Sequence, residues 1–123
     1  MTPRLGRIAP ELPAADLDTA VIYYEQKLGF QVAMRMAQYA IVERDGIALH
    51  LFGDAGEHSA VGVHIFTPDL EELFAELRAS GAEIAQAIEQ KPWGNRDFRV
   101  RDNFGNTLKF TEPLAEEGIS GSA

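Results

Sequence analysis

The sequence predicts an α+β fold built from two tandem β-α-β-β-β modules whose strands form a curved, eight-stranded cup. Three observations predict it. Two stretches of helical periodicity, "DLDTAVIYYEQKLGF" and "DLEELFAELRASGAE", both open on Asp-Leu and both reach a glycine about a dozen residues later. Each is preceded by one strand-like run and followed by three. The closing hairpins of the two halves align, "DGIALHL" with "FGNTLKF", so that Gly46 matches Gly105 and His50 matches Lys109 at one constant offset. Such self-similarity marks an internal duplication. The modules run over about 5–53 and 58–113 of a single domain spanning 1–123, and the small, polar stretch 114–123 is expected to fray.

The elements follow in order. In "RIAPELPAAD", alternation turns Ile8, Leu12 and Ala14 toward the helix and leaves Ala9, Glu11 and Pro13 on the opposite face. The first helix takes Asp16 as N-cap, Leu17, Ala20, Val21, Tyr24 and Leu28 as its apolar stripe, and Gly29 at its C-terminal cap. Three strands follow, "FQVAMRM", "YAIVERD" and "IALHLF", the last packing Leu49 and Leu51 and presenting His50 on the other side. His58, in "GDAGEHSA", reads as a solvated loop residue. In "AVGVHIFTPD", Val61, Val63 and Ile65 pack while Gly62, His64 and Phe66 face away. The second helix pairs Asp69 with Glu72 in a capping-box pattern, carries Leu70, Leu73, Phe74 and Leu77 inward, and ends at Gly81. A weak strand, "AEIAQAIEQ", precedes a longer loop around Pro92 to Gly94. The final pair packs Phe98, Val100, Leu108 and Phe110, leaving Arg99, Arg101 and Lys109 on the second face.

Composition narrows the function. Net charge is −8 and the isoelectric point near 4.8, which argues against nucleic acid or an anionic membrane as partner. The surplus carboxylates either keep the chain soluble or draw in a cationic small molecule. Cysteine is absent, so disulfides, thiolate metal sites and cysteine nucleophiles are excluded. With no secretory leader pattern and no apolar run long enough for a bilayer, a soluble, cytoplasmic protein is expected.

The candidate site lies on the face turned away from the helices. Glu11, His50, His64 and Lys109, from four strands, share it as a concave polar surface. His50 and His64 are either cavity-wall histidines or, with Glu11, a two-histidine, one-carboxylate metal set. Trp93, the sole tryptophan, either closes the end of a sheet or stands exposed for a ligand.

Paired β-α-β-β-β modules with "ADLDTAVIYYEQKLGF" and "RDNFGNTLKF" resemble the vicinal oxygen chelate superfamily of glyoxalases, extradiol dioxygenases and bleomycin-resistance proteins, over residues 8–113. Pro10, Tyr39 and the string from "PWG" to "GN" are most similar to the bleomycin-binding members. That resemblance implies antibiotic resistance by sequestration: a metal-free dimer, without cofactor or catalytic residue, that holds bleomycin without altering it. Bleomycin-type ligands carry a flat heteroaromatic bithiazole, a cationic tail and a polar chelating head. Trp93 and Tyr39 match the ring-contacting positions, Phe52 and Phe66 extend an apolar wall, and His50, His64, Lys109 and Arg99 line the remainder. The family's dimers exchange their first strand about a proline, which Pro10 matches; alternatively the prolines keep an edge strand from aggregating. Metal-dependent members take ligands from the first and last strand of each module, positions held here by Ala9, His50, Gly62 and Lys109. Three of the four do not ligate, so the enzyme alternative, a glyoxalase-like lyase or isomerase or a dioxygenase, rests on the displaced set Glu11, His50 and His64. Arg99 and Arg101 leave open another flat amphipathic ligand, or an anion held by Lys109 and the arginines.

Overall fold

The computed structural model describes residues 2–53 and 58–113. Both modules are present: β1 (Glu11–Pro13), α1 (Leu17–Gln26), β2 (Gln31–Arg35), β3 (Tyr39–Arg44) and β4 (Ile47–Phe52), then β5 (Gly62–Phe66), α2 (Leu70–Ser80), β6 (Glu83–Gln90), β7 (Arg96–Arg101) and β8 (Thr107–Glu112). The eight strands divide into two four-stranded mixed sheets, ordered β1-β4-β3-β2 and β5-β8-β7-β6. In each, the first strand lies parallel to the last and the other pairs are antiparallel. The turn glycines correspond as well, with φ of +80° at Gly46 and +85° at Gly105, a backbone region that costs an L side chain strain. The expected fraying of 114–123 and most of the inter-module loop lie outside the described residues.

Several local expectations need correction. Ile8 is 93% exposed rather than packed, because the ladder begins at Pro10, whose carbonyl accepts from His50 N at 3.0 Å. Proline has no N–H to extend the pairing further back. Asp16 caps α1 as expected, its Oδ1 accepting from Thr19 N at 3.3 Å. That helix closes at Lys27, and Gly29, at φ +76°, turns the chain into β2 two residues later. Asp69 makes no side-chain cap; instead Thr67 Oγ1 accepts from Asp69 N at 3.1 Å. Gly81, left-handed at φ +90°, ends α2 as expected. The weak strand is the longest of the eight, β6, with irregular pairing to β7.

One apolar cluster joins the halves, running from Leu12, Tyr24, Phe30 and Leu51 to Leu70, Leu77, Phe98 and Leu108. A buried polar knot fixes their geometry. Tyr24 Oη donates to Asp102 Oδ2 at 2.8 Å, and Asn106 Nδ2 donates to the same oxygen at 2.9 Å and to Pro13 O at 2.8 Å. Asp102 Oδ1 accepts from Phe104 N and Asn106 N, so Asp102 caps the β7–β8 turn. Burial, reinforced by the Asp102 charge, pushes the Tyr24 phenol far above its ordinary pKa. On the far side, Arg44 grips Glu76 bidentately at 2.6 and 2.8 Å.

Candidate functional site

The face turned away from α1 is built around Tyr39. Its hydroxyl lies 2.6 Å from Glu11 Oε2 and 2.8 Å from His50 Nδ1. A carboxylate only accepts, so the phenol donates to Glu11 and accepts from His50 Nδ1–H. A neutral imidazole then carries its lone pair on Nε2, which is buried without a hydrogen-bond partner. The bond to Glu11 raises the Tyr39 pKa and fixes its ring edge-on to His50, centroids 5.5 Å apart. Phe52 sits opposite Tyr39 in the ladder. His58 is exposed but not simply solvated: its ring packs edge-on against Phe52 at 4.9 Å. Ile41 and Met34 complete the row that begins at Glu11 and His50, so this face is acidic at one edge and apolar beyond.

The matching face of the second sheet differs. His64, Lys109, Arg99 and Gln86 lie side by side across β5, β8, β7 and β6. His64 Nε2 lies 2.6 Å from Thr111 Oγ1, and its ring stacks on Phe66, which is 51% exposed. Asp97, 1% exposed, lies in the next row; Gln86 Nε2 donates to its Oδ1 at 2.7 Å. Lys91 and Lys109 approach the same carboxylate at 3.6 and 3.9 Å. A hydrogen bond to Glu89 raises the Lys91 pKa. Asp97, Gln86 and Lys91 were not singled out from the sequence; alternation alone places Asp97 on the face of Arg99 and Arg101.

Trp93 is 63% exposed in the turn between β6 and β7, closed by bonds from Gly94 N to Lys91 O and from Lys91 N to Asn95 O. Glu11 and His50 are direct neighbours in the first sheet, and His64 and Lys109 in the second. The four residues expected on one surface thus form two pairs on two sheets. Gly62 sits one alternate step away, opposite Thr107, and Ala9 precedes β1. Among the described residues, no three His, Asp or Glu side chains are grouped to hold a metal ion. No described helix is long and apolar enough to cross a membrane. A separate groove of about 840 Å³ opens on the helix side between the modules, with Leu28, Phe30, Ile47 and Phe110 among its apolar lining and Asp45, Asp69, Glu72 and Glu76 among its acids.

Residues 4–110 match the model of the Glyoxalase/Bleomycin resistance protein/Dioxygenase superfamily. The chain belongs to that superfamily. Among its relatives, a bleomycin resistance protein from Klebsiella pneumoniae is 27% identical over 90% of this chain and 95% of its own length. The crystal structure of TioX from Micromonospora sp. ML1 superposes with a TM-score of 0.75 at 30% identity, covering 89% of this chain and 99% of TioX. A bleomycin-binding protein complexed with bleomycin shares the fold, with a TM-score of 0.76 at 23% identity, over 89% of this chain and all (100%) of the other. The superfamily contains binding proteins and enzymes alike, and the named relatives of this chain include binding and resistance proteins.

Proposed function

We propose that this protein binds a bleomycin-type antibiotic, or another flat amphipathic compound, and sequesters it unaltered, without metal or cofactor. The observation that carries this reading is Trp93: a ring left 63% exposed on a turn costs apolar hydration unless a partner covers it. Tyr39, held by Glu11 and His50, offers a second ring of fixed orientation, with Phe52 beside it. Phe66, His64, Lys109 and Arg99 line the facing half of the same binding cup. The net charge of −8 favours encounter with a cationic drug.

The cup is completed in a homodimer exchanged at Pro10, one sheet coming from each copy of a single two-module domain. The arm before Pro10 supports this, since Leu5 and Ile8 are 100% and 93% exposed. Arg4 and Arg7 on that arm complement the acidic rim of the inter-module groove. The protein would act in the cytoplasm.

Bleomycin added at about micromolar concentration quenches Trp93 fluorescence, and calorimetry finds no binding to Trp93→Ala. No response up to millimolar drug refutes the reading. A second reading, a metal-dependent lyase, isomerase or dioxygenase using Glu11, His50 and His64, draws on the unpartnered lone pair of His50 Nε2, although Glu11 and His50 lie on the first sheet and His64 on the second. It requires stoichiometric Fe, Mn, Ni or Zn in protein purified without chelators; finding none rejects it.

A further inference from the structure

The two open faces descend from one duplicated module, yet their central rows carry opposite chemistry. On the first sheet the row is Glu11, His50, Ile41 and Met34, acidic and then apolar. On the second it is His64, Lys109, Arg99 and Gln86, a line of hydrogen-bond donors four strands wide. Lys109 and Arg99 stand directly opposite each other across an antiparallel pair, where like charges repel. This happens in a chain whose net charge is −8, so cations are scarce and these are concentrated.

The internal counter-charge is incomplete. Asp97 lies within 3.6 Å of Lys91 and 3.9 Å of Lys109, and Lys91 also holds Glu89 at 2.7 Å. Among the described residues no ion pair of this face includes Arg99, and Arg99 Nε is buried without a hydrogen-bond partner. Asp97 Oδ2 is likewise buried without a hydrogen bond. A buried guanidinium N–H left unbonded is costly, and Lys91, Lys109 and Arg99 against Asp97 and Glu89 leave one positive charge over. The missing partner is an acceptor bearing negative charge, presented to Arg99 and Lys109 from the open side of the sheet.

We propose that the open face of the second sheet is an anion subsite: Arg99 and Lys109 take a carboxylate, sulfonate or phosphate oxygen group carried by a flat aromatic ligand. This goes beyond the bleomycin reading and does not require it, because it assigns the sheet a ligand group of opposite charge to the drug's cationic tail.

Two fluorescent probes with one ring system test it on the full-length protein. 8-Anilinonaphthalene-1-sulfonate carries the anion, and N-phenyl-1-naphthylamine lacks it. The anionic probe binds at least about tenfold more tightly than the neutral one, the scale of one charge-assisted hydrogen bond. Arg99→Gln and Lys109→Gln each weaken the anionic probe about tenfold and leave the neutral probe unchanged within about twofold. Arg78→Gln, the same charge change on α2, alters neither. Equal affinity of the wild type for the two probes overturns the proposal, and because it needs no variant it holds even if a substitution unfolds the chain. Unaltered anionic-probe binding in both site variants overturns it too. A bleomycin titration of the wild type separates the two readings: drug binding without probe discrimination sinks the anion subsite alone, and probe discrimination without drug binding sinks the antibiotic alone.

Discussion

Replacing Tyr24 with Phe tests how the two modules are held in register, since the site depends on both. The ring is completely buried and packs edge-on against Phe30 at 5.8 Å, so Tyr24→Phe keeps the packing and deletes one hydroxyl. That hydroxyl donates to Asp102 Oδ2 at 2.8 Å, and hydrogen bonds to charged groups contribute about 1.5–3 kcal/mol. Asp102 Oδ2 retains Asn106 Nδ2 at 2.9 Å, which limits the penalty on the carboxylate and puts the expected loss at about 1.5–2 kcal/mol. For a chain of this length that lowers Tm by roughly 6–8 °C. Paired urea melts of wild type and variant, with equal slopes, read the difference. Asp102→Ala costs more, because it strands Tyr24 Oη, one of the two Asn106 Nδ2 N–H groups and two backbone N–H groups. A loss below about 0.5 kcal/mol for Tyr24→Phe refutes the buried knot as the joint between modules.

Two further outcomes follow. All three tyrosines titrate above their ordinary pKa, Tyr23 and Tyr24 through burial and Tyr39 through its bond to Glu11. A raised folded-state pKa stabilises the fold fully below the free phenol value of about 10 and is lost as pH climbs through the folded values. Absorbance at 295 nm therefore shows little phenolate at about pH 10 and a rise that coincides with alkaline unfolding; half-titration at about pH 10 with the fold intact contradicts it. Removal of residues 2–9 converts the proposed dimer to a monomer in sedimentation while the far-ultraviolet spectrum is kept; a monomeric wild type refutes the exchange.

Much of this fold was legible because its signals are local. Asp16 and Gly81 mark helix ends whatever the rest of the chain does, and Leu17, Ala20, Val21 and Tyr24 need only the helical period to find the core. Alternation likewise sorted Leu49, Leu51, Phe98, Val100, Leu108 and Phe110 inward. What stayed hidden depends on pairing between strands. Ile8 follows the apolar alternation of its neighbours, but whether it packs depends on a ladder that Pro10 ends. Glu11, His50, His64 and Lys109 have matching parity, yet nothing in parity says that they divide between two sheets. Nothing in the sequence marks Asp97, between Arg96 and Phe98, as buried; its burial follows from Gln86 and two lysines brought by other segments. Arg99 beside Lys109 was visible as charge, but their face-to-face register was not.

Native mass spectrometry of the full-length protein mixed with bleomycin tests the central claim most directly, since it weighs the assembly, the drug and any metal together. A homodimer carrying drug of unchanged mass and no stoichiometric metal of its own is the expected spectrum, with the complex absent for Trp93→Ala. A protein that takes up no drug at millimolar concentration, or that releases drug of altered mass, contradicts it.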